Sequence, residues 1–468
     1  MNTKILKLIL LIVQFHSLFA SAQSPEKPMP AQYYSLKECA QTALAKSTQL
    51  KKSELDIAIG KQQIKEVLRS GYPQVTGSAN LQYTPLQPKF LIPDFITPAL
   101  KAAGIIPANT PDGPSSQASF TPKLNPSIGI DFNQLLYSQT FNMGIKSSEK
   151  LNEMNELLKQ KTAQTIVYEI AKTYYQAQLA NKQIGILQAN LSQIEGLLKL
   201  TELQIKNGFA KKIDGDRLSV SKFNIETQIQ NVKIQHEQLL NLLKYQMSAP
   251  LDQPIAISDT LNDKNYSIPT LIDIYSISNH SNQIDLSILS KQKELLDVKN
   301  KYILSGYYPQ AYLRGGYSLQ GQGNTVNQLV NSQWFNVFQL SLNIKAPIID
   351  SGIRKSQAEQ NRLNTLKNEQ DVIFAQQSID FQQTNVRSQL LAQLNNLQSV
   401  MRNRETAEEV YRVSQARFKE GLGSITEILS AETSMREAQT NFILTLMNIK
   451  LSEIDLMKAE GRIMDVLK

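Results

Sequence analysis

One unit occurs twice in this chain, and it sets alternating strands between very long helices. In its first occurrence Ser70-Gly71-Tyr72-Pro73-Gln74 opens a strand, and a loop, a second strand, Gly144 and a long helical stretch follow. In the second, Ser305-Gly306-Tyr307-Tyr308-Pro309-Gln310 opens the same series, with Gly352 ahead of the long stretch. Both long stretches end in a Gly-containing turn, Lys206-Asn207-Gly208-Phe209-Ala210 and Lys419-Glu420-Gly421-Leu422-Gly423, and another helical stretch comes after each. A repeat of this size dictates the fold. Two strand pairs make four strands, too few to close a barrel in lipid, so a membrane pore has to be built with further copies of the chain. The expected organisation is a signal peptide at 1–22, a first repeat at 23–247, a linker at 248–270 and a second repeat at 271–468.

The strands carry period-two patterns. Val75, Gly77, Ala79, Leu81 and Tyr83 alternate with Gln74, Thr76, Ser78, Asn80 and Gln82. Ile128, Ile130 and Phe132 oppose Gly129, Asp131 and Asn133. In the second unit Leu313, Gly315, Tyr317 and Leu319 oppose Arg314, Gly316, Ser318 and Gln320. Phe338, Leu340, Leu342 and Ile344 oppose Gln339, Ser341, Asn343 and Lys345. Alternation of this kind suits a strand with lipid on one side and a wet lumen on the other. Leu81, Ile130, Leu313, Leu340 and Leu342 are the candidate lipid-facing residues. Trp334, Tyr83 and Tyr317 suit an interfacial aromatic belt. A small soluble sheet capping a helical domain is the competing reading, and it leaves the paired occurrence unexplained.

Between Gly352 and Gly421 the chain has neither Gly nor Pro. At the α-helical rise this stretch would extend about 100 Å. Apolar residues step by three and four: Ile184, Leu187, Leu191, Ile194, Leu198, Thr201, Ile205 in the first unit. In the second the steps run Leu390, Leu394, Leu397, Met401, Arg404, Glu408, Tyr411, Gln415, Phe418. This is an imperfect coiled-coil seam. The other faces are rich in Gln, Asn, Ser and Thr, as befits a helix wetted on two sides. From the helices alone, an ordinary dimeric coiled coil stays open.

The N-terminus looks exported. Lys4 and Lys7 make a basic start, Ile5 to Phe19 is mostly apolar, and Ala20-Ser21-Ala22 is an A-x-A cleavage signal, so the mature chain is expected to start at Gln23. Removing the two lysines lowers the formal charge from +8 to +6, a mild bias that does not argue for nucleic acid. Cys39 is the single cysteine, which excludes an internal disulfide. No later apolar run approaches the roughly 20 residues of a spanning helix, so entry into a membrane would be by strands.

These residues resemble the TolC family of outer-membrane efflux proteins. The likeness runs from about Tyr34 to Lys458, through Tyr34-Ser35-Leu36-Lys37-Glu38-Cys39-Ala40, Gly71-Tyr72-Pro73-Gln74, Pro347-Ile348-Ile349-Asp350-Ser351-Gly352, and Arg417-Phe418-Lys419-Glu420-Gly421-Leu422-Gly423-Ser424-Ile425-Thr426-Glu427-Ile428-Leu429. Each piece is loose; their order and doubling are specific. The resemblance implies a mainly α fold with a transmembrane β part. In it a homotrimer shares one 12-stranded barrel in the outer membrane of a Gram-negative bacterium, and an α-helical tunnel continues across the periplasm. It places the two Gly turns at the periplasmic tip, where Gly208, Phe209, Gly421 and Leu422 would meet a periplasmic adaptor protein that links to an inner-membrane pump. The family carries an acid six positions after each tip glycine, here Asp214 and Glu427, at the periplasmic entrance. Its tightly closing members add a second Asp and a Tyr–Arg latch. Ser430, Phe418 and Gly423 stand at those places here, which argues against a tight latch.

Other readings stand beside these. Ser424-Ile425-Thr426-Glu427 forms a capping box in sequence and Asp214 sits at a helix start, so both acids can be caps. His236 and His280 lie on polar stretches without partner spacing and are expected to be solvated. The connection Thr84–Pro126 holds nine prolines and the apolar run Phe90–Ile96, so it either folds over the mouth, meets a partner, packs on itself or stays disordered. No catalytic set, metal motif or phosphate loop is visible, so neither an enzyme nor a cofactor is expected. The leading function is a passive export duct of a tripartite efflux or type I secretion system. The alternative is a periplasmic coiled-coil adaptor or spacer, which needs no lipid-facing strands.

Overall fold

In the computed structural model the described residues are 32–259, 280, 282–331 and 333–468. The signal expected at 1–22, and 260–270 of the expected linker, lie outside them. Strand β1 (Gln32–Tyr34) leads into helices α1 (Leu36–Lys46) and α2 (Thr48–Ser70). Strand β2 (Gln74–Tyr83) is followed by a connection holding β3 (Phe90–Ile92), α3 (Ile96–Ala102) and β4 (Ser116–Ala118). Next come β5 (Leu124–Ser138), α4 (Gln139–Lys206), α5 (Lys212–Gln246) and β6 (Ile255–Ile257). The order ends with α6 (Ile284–Ser305), β7 (Gln310–Gln320), α7 (Val326–Asn331), β8 (Phe335–Lys345), α8 (Ile353–Lys419), α9 (Ile425–Ala459) and a 3-10 turn at Ile463–Leu467. Two compact units divide the chain, one of 1–55, 157–288 and 372–468, the other of 56–156 and 289–371.

The long helices arise where the sequence lacks breakers. Helix α8 is 67 residues and α4 is 68. Their starts differ. At α8, Ser351 and Gly352 take positive φ, and the Asp350 carboxylate accepts from Gly352 N (3.1 Å) and Arg354 N (3.2 Å). Helix α4 does not begin at Gly144 but five residues earlier, at Gln139. There Ser138 Oγ accepts from Phe141 N at 3.2 Å, an N-cap that replaces the glycine start.

In the unit that holds both Gly turns, α4, α5, α8 and α9 share one apolar core, including Ile184, Leu187, Ile194, Leu218, Ile225, Tyr411, Phe418, Ile428 and Met435. The predicted seams supply much of it. Polar side chains beside it are joined to one another: Asn190 Nδ2 donates to Gln439 Oε1 (2.9 Å), and Gln439 Nε2 donates to Glu408 Oε1 (3.0 Å), tying α4, α9 and α8. Arg404 lies over the Phe442 ring at 4.1 Å. A second core gathers Cys39, Ala40, Val167, Ile170, Tyr174, Leu243 and Ile463, beside the parallel pair β1–β6. His280 is not a free solvated side chain; its Nε2 meets Asp380 Oδ1 at 3.1 Å. His236 is half-buried, and burial lowers its pKa.

The other unit carries a four-stranded antiparallel sheet in the order β2-β5-β7-β8. Among its helices, Lys150 pairs with Glu153 (2.9 Å) and Glu294 (3.1 Å), and Lys291 pairs with the same two carboxylates at 2.9 Å. This alternating square fastens α4 to α6, although solvent screening keeps each exposed pair weak. The Pro-rich connection packs on itself: β3 pairs with β4, and the Asp94 carboxylate accepts from Ile96 N, Thr97 N and Gly113 N.

Tyr174 is fully buried, and its hydroxyl donates to Asp259 Oδ2 at 2.7 Å, while the same carboxylate oxygen accepts from Leu36 N at 3.2 Å. Tyr174→Phe removes the hydroxyl beside a carboxylate, so it should lower the unfolding free energy by about 1–3 kcal/mol in denaturant titrations. An unchanged midpoint would show that this bond does not hold β1 and the 255–259 segment onto the helices.

Candidate functional site

The sheet brings the four alternations of the sequence onto common faces. Register places Val75, Phe132, Gly315 and Leu340 in one row, and Gly77, Ile130, Tyr317 and Phe338 in the next. Leu313 and Leu342 pair on the same face, and Leu81 lies opposite Pro126. This face is apolar and open; Leu340 is 61% exposed and Ile130 58%. The opposite face runs Gln74, Asn133, Arg314, Ser341, then Thr76, Asp131, Gly316, Gln339. Strand β5 is longer than the sequence suggests, with a bulge between Leu135 and Tyr137. Strands β2 and β8 are the outer strands, so each keeps one row of backbone groups without a strand partner among the described residues.

The two Gly turns are the same structure. Gly208 has φ +77° and Gly421 φ +72°. Gly208 N donates to Ile205 O and Phe209 N to Gln204 O, at 3.1 and 2.8 Å. In the second turn Gly421 N donates to Phe418 O and Leu422 N to Arg417 O, at 3.0 and 2.8 Å. This 5→2 and 6→1 pattern is a Schellman motif, which needs the left-handed glycine. The residue after each glycine commonly packs back on its helix. Here Phe209 is 85% and Leu422 73% exposed.

The acids after the turns are not alike. Asp214 Oδ2 accepts from Lys211 N at 3.3 Å, and its other oxygen lies 4.0 Å from Arg217. It acts as a helix-start acid. At the second turn Ser424 Oγ accepts from Glu427 N (3.2 Å), but the Glu427 carboxylate pairs with Arg417 Nη1 at 3.2 Å. The expected capping box is therefore half made. Phe418 is buried in the helical core, and Gly423 packs against the Arg417–Phe418 backbone.

Behind this turn lies a residue that the sequence did not single out. Glu432 on α9 is 1% exposed. Burial pushes its pKa up, against the attraction of Arg436, whose Nε is 3.2 Å away. Burial, with a smaller contribution from Glu432, pushes the Tyr411 hydroxyl up to about 12. The sequence signal was available: Glu432 falls four residues after Ile428 and three before Met435, on the core stripe of α9. Among the described residues no cluster of His, Cys, Asp and Glu is placed to hold a metal.

Comparisons with known proteins agree with this geometry. The model of the family described as outer membrane efflux protein matches residues 39–244 and 305–462. The chain is similar to the outer membrane protein TolC of Vibrio cholerae, 21% identical over 345 residues that cover 72% of this chain and 76% of that protein. Among solved structures it resembles the outer membrane protein VceC of Vibrio cholerae, with a TM-score of 0.67 at 13% identity, over 91% of this chain and 96% of that one. It also resembles the CmeC outer membrane channel of Campylobacter jejuni, with a TM-score of 0.66 at 14% identity, over 91% and 85% of the two chains. At such identities the structural likeness speaks for the fold.

Glu432 makes a pH-dependent prediction. Its folded pKa is raised above the ordinary 4.5, so between these values the folded state holds more protons than the unfolded one. Its contribution to stability therefore falls as pH rises through that window, and the cost persists at neutral pH. Glu432→Gln removes this titration. Relative to wild type, the variant should gain more stability at pH 7.5 than at pH 4.5 in thermal melts. Parallel pH profiles for the two proteins would contradict the raised pKa.

Proposed function

The chain belongs to the outer membrane efflux protein family, and from that premise we propose that it is the outer-membrane duct of a tripartite efflux or type I secretion assembly. It is an export channel of the Gram-negative outer membrane with a periplasmic tunnel, and not an enzyme. The observation that carries the finer reading is the four-stranded sheet, with one open apolar face and two edges that have no strand partner among the described residues. In lipid each edge must find a partner. The edge of β8 meets β2 of a second copy, and three chains of four strands close a 12-stranded barrel. Leu81, Ile130, Leu313, Leu340 and Leu342 then face lipid, and the polar face lines a lumen.

The internal repeats at 23–247 and 271–468, joined by 248–270, supply the paired strands and the paired turns. Gly208, Phe209, Gly421 and Leu422 form the periplasmic tip. Their exposed apolar side chains and tight backbone suit docking of a helical adaptor, which connects the duct to an inner-membrane pump. Asp214 and Glu427 lie at the entrance. The pairing of Glu427 with Arg417 supports a loosely held aperture, because the latch residues are absent and the acid is part-neutralised within its own turn.

Two experiments test this reading. Leu340→Arg should cost about 2–4 kcal/mol per chain if the site lies near the bilayer midplane, whereas Ser341→Arg on the polar face should be mild. The yield of trimers from outer-membrane extracts measures the contrast, and equal tolerance at the two positions would overturn the lipid-face assignment. Leu422→Glu, with Gly421 kept, should leave trimers intact and abolish export. Export at the wild-type level would remove Leu422 from the docking surface.

A further inference from the structure

We propose that Arg314 makes the membrane part of the duct an anion-preferring passage, so that anionic solutes are favoured over cations there. This rests on the reading of the polar sheet face as a shared lumen. Charge on that face is sparse and unevenly placed. Within the paired rows of the sheet the polar face carries three charged side chains, Asp131, Arg314 and Lys345. Beyond Asp131, away from the long helices, the rows Ser78–Gly129–Ser318–Val337 and Asn80–Ser127–Gln320–Phe335 have no charge. Lys345 pairs with Gln310 at the end of the sheet that joins the helices, and Arg314 stands two rows further out. Each chain thus contributes two cations and one carboxylate to this stretch.

The carboxylate and the guanidinium are held differently. Asp131 Oδ2 accepts from Ser78 Oγ at 3.1 Å. Its other oxygen lies over Gly316, where an added Cβ would sit 3.1 Å from it. The missing side chain at Gly316 lets the carboxylate lie against the wall. Arg314 is in the neighbouring row, yet no carboxylate among the described residues pairs with it. It lies over the ring of Tyr312 at 5.9 Å, towards the helix-joined end. The cation therefore stays unneutralised by an ion pair while the acid is folded onto the wall.

Three chains would set three such guanidinium groups at one level of a low-dielectric barrel. Like charges gathered on the wall of a narrow passage act through their summed field, which raises the local concentration of counter-ions. The tip acids offset this less than their number suggests. Glu427 is paired with Arg417, and Asp214 is engaged by Lys211 N and lies near Arg217. The solutes favoured are those bearing carboxylate or phosphate groups.

Reversal potentials under a KCl gradient, with purified full-length trimers in planar bilayers, test the inference. Wild type should be anion-selective. Arg314→Gln should shift the reversal potential towards the cation side, while Arg314→Lys keeps it. Asp131→Asn should shift it further to the anion side, and it decides the matter if Arg314→Gln fails to assemble. A cation-selective wild type, or conducting Arg314→Gln or Asp131→Asn channels with unshifted potentials, would overturn the inference. Intact wild-type trimers that form no channel at all would instead overturn the duct reading on which it rests.

Discussion

An unpaired backbone N–H cannot be left in hydrocarbon, and the free edges of β2 and β8 bring this chain under that constraint. Among the described residues the sheet has the four strands β2-β5-β7-β8, and its apolar face is open along Leu340, Leu342, Phe338 and Ile130. Neither a soluble monomer nor a membrane-inserted monomer accommodates both features. Burial of the apolar face requires lipid, and lipid in turn requires closure of the edges. Assembly is thus a consequence of backbone hydrogen bonding, and the helices have to be compatible with it.

That compatibility is visible in their composition. A helix with an oily core on all sides could not border a wet passage. The shared core of α4, α5, α8 and α9 is kept to a stripe, and polar residues at its margin are connected to each other, as in the Asn190–Gln439–Glu408 series. Glu432 is an acid placed on the stripe itself, with Arg436 beside it. Paired Schellman turns end both long helices with glycine at the bend, and Phe209 and Leu422 stay exposed beside it.

Much of this was legible in the sequence because period and punctuation are local properties. Period-two alternation placed Leu340 and Ile130 on one face before any pairing was known, and the absence of Gly and Pro from 353–420 gave α8 nearly its full length. Left-handed backbone at Gly208 and Gly421 followed from glycine at the end of a helical pattern. What depended on distant partners was not legible. The start of α4 is a local exception: Ser138 Oγ accepts from Phe141 N three residues on, and Gly144 drew attention away from that cap. The Glu427 carboxylate had two local choices, and Arg417, ten residues earlier, prevailed over the Ser424 backbone. His280 found Asp380 a hundred positions away. The cradle of Asp131 on Gly316 needed the strand register, since neither residue is informative alone.

The central claim is that β8 of one copy pairs with β2 of another. Single cysteines placed along 74–83 and along 335–345, combined pairwise in a Cys39→Ser background and oxidised in intact outer membranes, test it directly. The account predicts disulfide-linked dimers and trimers for pairs that fall on one antiparallel register, and none for pairs displaced from it. Outer-membrane protein that yields only monomers across every register would contradict it.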